Sequence, residues 1–320
     1  MSKMTTRREF FIGAAATAAA PVVAKAMMAG GGKDENLSVF ISDIHVSGIG
    51  VEGQPTYQNP YFERTVDEIL AMRPLPKRVV CFGDIALWRG LQKDYEASIP
   101  GFRRLTDAGI DLYLAMGNHD HREAFLMCHP QYAKTSPVPG RIVSVIDLGT
   151  SDLILLDSLQ EGPDGKDSYN PVPGAIDREQ WDWLAAEAKR RTRPFFCGAH
   201  HPPEEMTQVV DGKKVDVLSV LRDAPMFRGW IHGHAHTWSK DFYAQNWGSR
   251  RIFRKAVLPS TGWWGDIGYA VMRTFADRAE LSLVEKDFYF PSPLKKGEVR
   301  PADWDEIIAE NRGARCTFAY

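Results

Sequence analysis

Leu37-Ser38-Val39-Phe40-Ile41-Ser42-Asp43-Ile44-His45 is the stretch on which the reading of this chain turns. Its first six residues form a short apolar run with β-branched members, the pattern of a buried strand. An acid and an imidazole follow at once, two residues apart. The same order recurs downstream. Arg78-Val79-Val80-Cys81-Phe82 precedes Gly83-Asp84, and Leu112-Tyr113-Leu114-Ala115-Met116 precedes Gly117-Asn118-His119-Asp120. Strands predicted over 194–197 and 227–231 precede His200-His201-Pro202 and Gly233-His234-Ala235-His236. Five predicted strands thus end in a carboxylate, an amide or an imidazole. In α/β sheets ligands bind beyond the carboxyl ends of the strands.

Between these strands the spacing predicts helices. Phe62, Val66, Ile69 and Leu70 mark one over 60–72. Residues 95–107 have helical character but carry Pro100 and Gly101, which are expected to interrupt it. Asp177 is placed to cap a helix whose Trp181, Leu184 and Ala188 share one face. Further strands are predicted over 141–146 and 153–156. The runs 252–258, 269–274 and 279–285 are spaced like an antiparallel set. Alternating strands and helices point to an α/β fold with a parallel sheet at its heart. The turn-rich stretch 162–174 is too long for an ordinary connection and reads as a functional loop.

The 320 residues hold 39 Lys+Arg against 41 Asp+Glu, 44% hydrophobic and 25% charged residues, ordinary values for a soluble globular protein. No basic excess exists to neutralise nucleic-acid phosphates. Four cysteines are too few for a disulfide scaffold. Cys81 and Cys197 fall in buried strands, whereas Cys128 and Cys316 are left as a pair that export would permit to join.

The segments at the strand ends form a mixed oxygen and nitrogen donor set with no thiolate, which suits divalent zinc, manganese, iron or nickel. In Asp43/His45 and His234/His236 a two-residue step on extended chain puts both side chains on one face. There are too many donors for one metal and enough for two. Paired metals are a device for hydrolysing phosphate esters, and a shared carboxylate must hold them together because two dications repel.

The ordered pattern D-x-H, G-D, G-N-H-[DE], H-x-P, G-H-x-H, running from Asp43 to His236, resembles the calcineurin-like metallophosphoesterase superfamily. The resemblance implies a four-layer αββα sandwich of two mixed β-sheets flanked by helices. It implies Asp43, His45 and His236 at a first divalent metal, Asn118, His200 and His234 at a second, and Asp84 bridging them. His119 would stand near the leaving group as electrostatic stabiliser or general acid, and Asp120 would orient His119 by a hydrogen bond. The second imidazole, His201, is left facing the ligands from behind or facing substrate. A metal-bridging hydroxide would attack phosphorus in line. The His-His-Pro segment and Leu156-Asp157-Ser158 look like the class III cyclic nucleotide and glycerophosphodiester phosphodiesterase branch. Leu87 stands where protein phosphatases carry a second acid. A phosphodiester substrate is therefore favoured. A phosphomonoesterase or nucleotide pyrophosphatase with the same metals, and a non-catalytic binding module on the same fold, are the rivals.

Trp263 and Trp264 have two readings, a wall for an aromatic part of a substrate or packing between sheets. Tyr57, Tyr61 and Trp88 raise the same question. His129 reads as an ordinary buried histidine, and His232 as structural. The basic residues 189–193 end a helix, where cations favour the dipole.

Arg7-Arg8 before an apolar run, alanines over 14–20 and Ala24-Lys25-Ala26 have the order of a charged region, an apolar region and a cut site. This resembles a twin-arginine export signal. It is too short and too weakly apolar for a stable membrane anchor. The expected division is a signal over 1–26, a flexible leader over 27–36, a metallophosphoesterase domain over 37–290 and a tail over 291–320, the last with a helix over 301–311. The expected location is periplasmic or extracellular, and the expected partner is a small phosphate ester. The sequence leaves oligomeric state and metal identity open.

Overall fold

Alternate residues of the first strand divide between two cores. In the computed structural model β1 spans Lys33–Ile41. Its Phe40 packs between two sheets with Val80, Phe82, Leu155, Phe196 and Ile231. Its Val39 and Ile41 turn the other way, against a helical layer that supplies Phe62, Val66 and Phe102. A period of two with both faces apolar is what a strand covered on both sides requires. The structure describes residues 32–48, 59–160, 173–238, 254–262, 265–289 and 314–320.

The helices are α1 (Asn59–Ala71), α2 (Gln92–Asp107), α3 (Arg122–Cys128), α4 (Tyr132–Thr135), α5 (Arg178–Arg190) and α6 (Leu218–Leu221). The remaining strands are β2 (Leu75–Cys81), β3 (Asp111–Leu114), β4 (Ser144–Asp147), β5 (Asp152–Leu155), β6 (Phe195–Ala199), β7 (Thr207–Val210) and β8 (Lys213–Asp216). They continue with β9 (Phe227–His232), β10 (Arg254–Val257), β11 (Gly265–Thr274), β12 (Arg278–Tyr289) and β13 (Arg315–Ala319). One sheet has the order β13-β12-β11-β1-β2-β3 and the other β10-β9-β6-β5-β4, with β7 and β8 a separate hairpin. Both large sheets are mixed: β1, β2 and β3 run parallel, as do β5, β6, β9 and β10, while β11 and β4 join antiparallel. Helix α5 covers the outer face of the second sheet with Trp181, Leu184 and Ala188 against Ile154, Phe195 and Trp230. The four-layer αββα sandwich is therefore present.

Several expectations change in detail. Residues 33–36, read as leader, are the start of β1 and pair with Leu75 and Pro76. The end of the tail is strand β13, whose Cys316 and Phe318 enter the core between the sheets. The last-third strands are not one antiparallel set, because β10 pairs parallel with β9 in the other sheet. Helix α2 runs through Pro100. Pro100 is exposed, and Gly101 beside it lets Phe62 of α1 approach so closely that a Cβ would come within 2.5 Å of the ring. Cys128 and Cys316 are free and lie at the end of α3 and on β13. The basic run is satisfied by acids: Arg191 lies 2.7 Å from Asp152 and Arg193 3.0 Å from Asp147. The expected signal, the helix over 301–311, Tyr57, Trp263 and Trp264 lie outside the described residues, as does most of the 162–174 loop. No helix among the described residues is long and apolar enough to cross a membrane.

Candidate metal centre

The strands that carry the candidate residues end side by side. Asp43 follows β1, Asp84 follows β2, Asn118 follows β3, His200 follows β6, and His234 and His236 follow β9. Beyond β1 and β2 the chain segments stay paired, with the Asp43 amide on Gly83 O at 3.0 Å and the His45 amide on Asp84 O at 3.0 Å. The two inner sheets thus deliver their loops to one point, and all seven predicted ligands meet there. Six are buried, and His234 is partly so.

The way the side chains converge differs from the sequence argument. Asp43, His45, Asp84, His234 and His236 all have positive φ, between 46° and 69°. Extended alternation is therefore not what turns Asp43 and His45, or His234 and His236, to one centre; left-handed turns do it. Asp and His tolerate that region better than β-branched residues, yet each such turn costs free energy. Only one other non-glycine residue among those described shares it, Asp211 in the hairpin turn. The strain is concentrated at the site.

The donor atoms crowd together. His45 Nε2 and His236 Nε2 are 3.2 Å apart, and Asp43 Oδ1 is 3.0 Å from His236 Nε2. On the other side His200 Nε2 faces Asn118 Oδ1 at 3.1 Å and His234 Nδ1 at 3.3 Å. Asp84 Oδ2 stands between the groups, 3.7 Å from His45 Nε2 and 3.2 Å from His200 Nε2. The far nitrogens of both rings point at carbonyls, His45 Nδ1 at Leu87 O and His200 Nδ1 at Phe82 O. Each Nδ1 is thus the donor, and the inward Nε2 carries the lone pair.

Lone pairs facing one another inside a protein repel unless a cation lies among them. Around His200 Nε2 there are more acceptors than one proton can serve. Burial disfavours charge on His200, but Asp84 and Asp43 outweigh it and raise its pKa to about 9. Burial lowers that of His45 to about 3. Burial would also raise the carboxyls of Asp43 and Asp84; the imidazoles of His236 and His200 beside the first, and of His200 and His119 beside the second, hold both below the usual range. The field that draws a proton onto His200 is a field that holds a cation. The residues therefore fit two divalent ions: Asp43, His45, Asp84 and His236 form one donor group, and Asp84, Asn118, His200 and His234 the other.

His119 sits at the rim, half-buried. Its amide donates to Asp84 Oδ1 at 2.8 Å, and its Nδ1 lies 3.0 Å from Trp88 O. The Trp88 ring stacks on it with centroids 5.0 Å apart. The orienting contact expected from Asp120 is thus made by the Trp88 carbonyl. Asp120 Oδ1 instead accepts from the amides of Ile85 and Ala86 and from Tyr95 Oη, and Oδ2 from Gly117 N. Asp120 ties the β2 loop to the β3 loop, and burial beside Asp84 raises its pKa to about 7. Tyr61 lies on α1 under the Arg64 guanidinium. His232 is buried with Nδ1 on Gly233 O, and His129 lies between Phe125, Phe102 and Tyr132.

Sequence reasoning missed the supports. The carbonyls of Phe82, Leu87 and Trp88 carry no side-chain signal. Tyr95 read only as the start of a helix. Asp266, which accepts from Trp238 N at 2.6 Å and Thr237 Oγ1 at 3.0 Å, fastens the His236 loop to β11.

A family model described as calcineurin-like phosphoesterase matches residues 38–238. Comparison with curated protein sequences gives no match. Among solved structures the chain is similar to a dimetal phosphatase from Danio rerio, with TM-score 0.57 and 15% identity, covering 79% of this chain and 96% of that one. It is also similar to a purple acid phosphatase from yellow lupin (Lupinus luteus) seeds, with TM-score 0.52 and 11% identity, covering 78% of this chain. This chain spans 51% of the lupin protein's length. At such identities the likeness speaks for the fold. The family model reaches from the first strand to the loop that carries His236, and the chain belongs to the calcineurin-like phosphoesterase family.

Proposed function

We propose that this protein is a two-metal phosphoesterase that cleaves phosphodiesters. The observation that carries the reading is Asp84 Oδ2 standing between His45 Nε2 and His200 Nε2, with inward lone pairs on both sides. Asp43, His45 and His236 hold the first cation, Asn118, His200 and His234 the second, and Asp84 serves both. When bound, such a pair of cations neutralises phosphoryl oxygens and acidifies water. The chain's own residues do the rest. The turns at Asp43, Asp84, His234 and His236 fix the donors before substrate arrives. His119, held through Trp88 O, presents its other ring nitrogen to the departing oxygen and, when the ring is an imidazolium with both nitrogens protonated, gives it a proton and is left neutral. Asp120 and Tyr95 keep the two loops that bear Asp84 and His119 in register.

Preference for a diester rests on the likeness of His200-His201-Pro202 and Leu156-Asp157-Ser158 to the phosphodiesterase branch. The test is hydrolysis of bis-p-nitrophenyl phosphate against p-nitrophenyl phosphate with added manganese, using Asp84→Asn as control. Faster diester cleavage, lost in the control, supports the reading. Faster monoester cleavage moves it to a phosphatase with the same metals. We also propose that residues 1–26 direct export of the folded protein. A folded reporter fused behind them should reach the periplasm, and Arg7→Lys with Arg8→Lys should stop it.

A further inference from the structure

Strand β6 ends in two consecutive imidazoles, and only the first has a role in the centre described above. His201 is fully buried. Its Nδ1 lies 2.8 Å from Ser158 Oγ, and its own amide points at the same oxygen from 3.4 Å. Gly174 presses on the ring, since a Cβ there would come within 2.4 Å of it. Gly174 is itself pinned by its amide on Glu205 Oε2 at 3.0 Å, and Ala175 N by Ser158 O at 3.1 Å. The ring is therefore clamped between the loop after β5 and the segment before α5. Its remaining side meets His234 and His200, with centroids 4.7 and 4.9 Å away.

His201 Nε2 has no hydrogen-bond partner among the described residues and is shut off from solvent. Leaving such an atom unpaired inside the fold is unfavourable. The Ser158 contact fits the tautomer in which Nδ1–H donates to Oγ, which leaves a lone pair on Nε2. A lone pair has nothing to give a phosphate oxygen; it attracts a cation. His200, His201 and His234 each bring a ring nitrogen within 4.8 Å of the others.

We propose that His201 is a third imidazole ligand of the second metal position, beside His200 and His234. The inference rests on the two-metal reading. It makes the two positions chemically unequal. The first combines Asp43 with two imidazoles, and the second has three imidazoles. A nitrogen-rich position favours zinc or nickel over manganese. Ser158 is then the group that fixes the ligand's tautomer, as partners of metal-bound histidines do.

The test is the mature protein loaded with cadmium-113, with couplings between the metal and imidazole protons counted by NMR. Five coupled histidines are expected, His45 and His236 on one ion and His200, His201 and His234 on the other. In His201→Gln the count should fall to four, and the second ion should bind more weakly, with a Kd at least about 100-fold higher. In Ser158→Ala all five couplings should persist while that Kd rises about 10- to 100-fold. The wild-type count does not depend on a variant folding. Two bound ions with only four coupled histidines would overturn the His201 assignment and leave the phosphoesterase reading standing. Failure of the wild type to take up two ions would overturn both.

Discussion

Removing the charge of Asp157 should destabilise the fold far more than removing a surface acid. Arg122 Nε lies 2.7 Å from Asp157 Oδ2 and Nη2 lies 3.0 Å from Oδ1, a two-pronged pair. The side chains are 8% and 0% exposed. Asp157 also accepts from Ile142 N at 2.9 Å and Leu159 N at 3.1 Å, and Arg122 reaches Leu159 O. The pair joins α3, just after His119, to the loop that carries Ser158. Asp157→Asn keeps the shape and leaves the guanidinium buried without its counter-charge. Breaking a buried pair in this way costs about 3–5 kcal/mol. For a domain of this size each kcal/mol is worth roughly 2–4 °C, so Tm should fall by roughly 6–20 °C. Thermal and urea unfolding of wild type, Asp157→Asn, Arg122→Met and the double variant measure it. The double variant should recover at least about 1 kcal/mol relative to the sum, because neither charge is then left alone. A cost below about 1 kcal/mol, or strict additivity, would refute the reasoning.

Other outcomes follow from the same contacts. His119→Ala should slow cleavage of an alkyl ester by about 10²- to 10⁴-fold but slow p-nitrophenyl release much less, because that group departs without a proton; equal losses on both would sink the leaving-group role. Asp266→Ala should loosen the His236 loop and weaken the first metal by roughly 10- to 100-fold in calorimetric titration, with unchanged affinity counting against it. Burial lowers the pKa of His129 from 6.5 to about 4. The unfolded chain therefore binds a proton that the folded one refuses, and stability present above pH 6.5 is lost as pH falls toward 4. His129→Phe should remove up to about 3 kcal/mol of that acid sensitivity in urea unfolding, and parallel pH profiles for the two proteins would show that His129 is not the source.

The centre was legible to an unusual degree because its donors sit at the ends of strands that read as strands. A short apolar run followed by Asp43-Ile44-His45 or Gly117-Asn118-His119 carries both the element and the chemistry in adjacent residues. What was not legible lay in partners brought from afar. The contact to His119 comes from a backbone carbonyl, Trp88 O, which leaves no mark in composition. The pairing of β10 with β9, not with β11, depends on which sheet the chain enters after residue 238. Pro100 misled because a single missing amide is tolerated on an exposed helix face when the adjoining face packs, here through Gly101 on Phe62.

By itself the sequence determined the alternation of strands and helices and the residue types at the strand ends, since hydrophobic period and residue type are local properties; the layer order was an implication of the family resemblance. Only the tertiary structure decided the geometry of the centre. It put Asp84 between two imidazoles, turned the donors inward through left-handed residues, gave Asp120 to the loops instead of to His119, and set His201 with a bare nitrogen beside the second position. Those features are distances between segments far apart in the chain, and they exist only once two sheets have packed and brought their loops to one point.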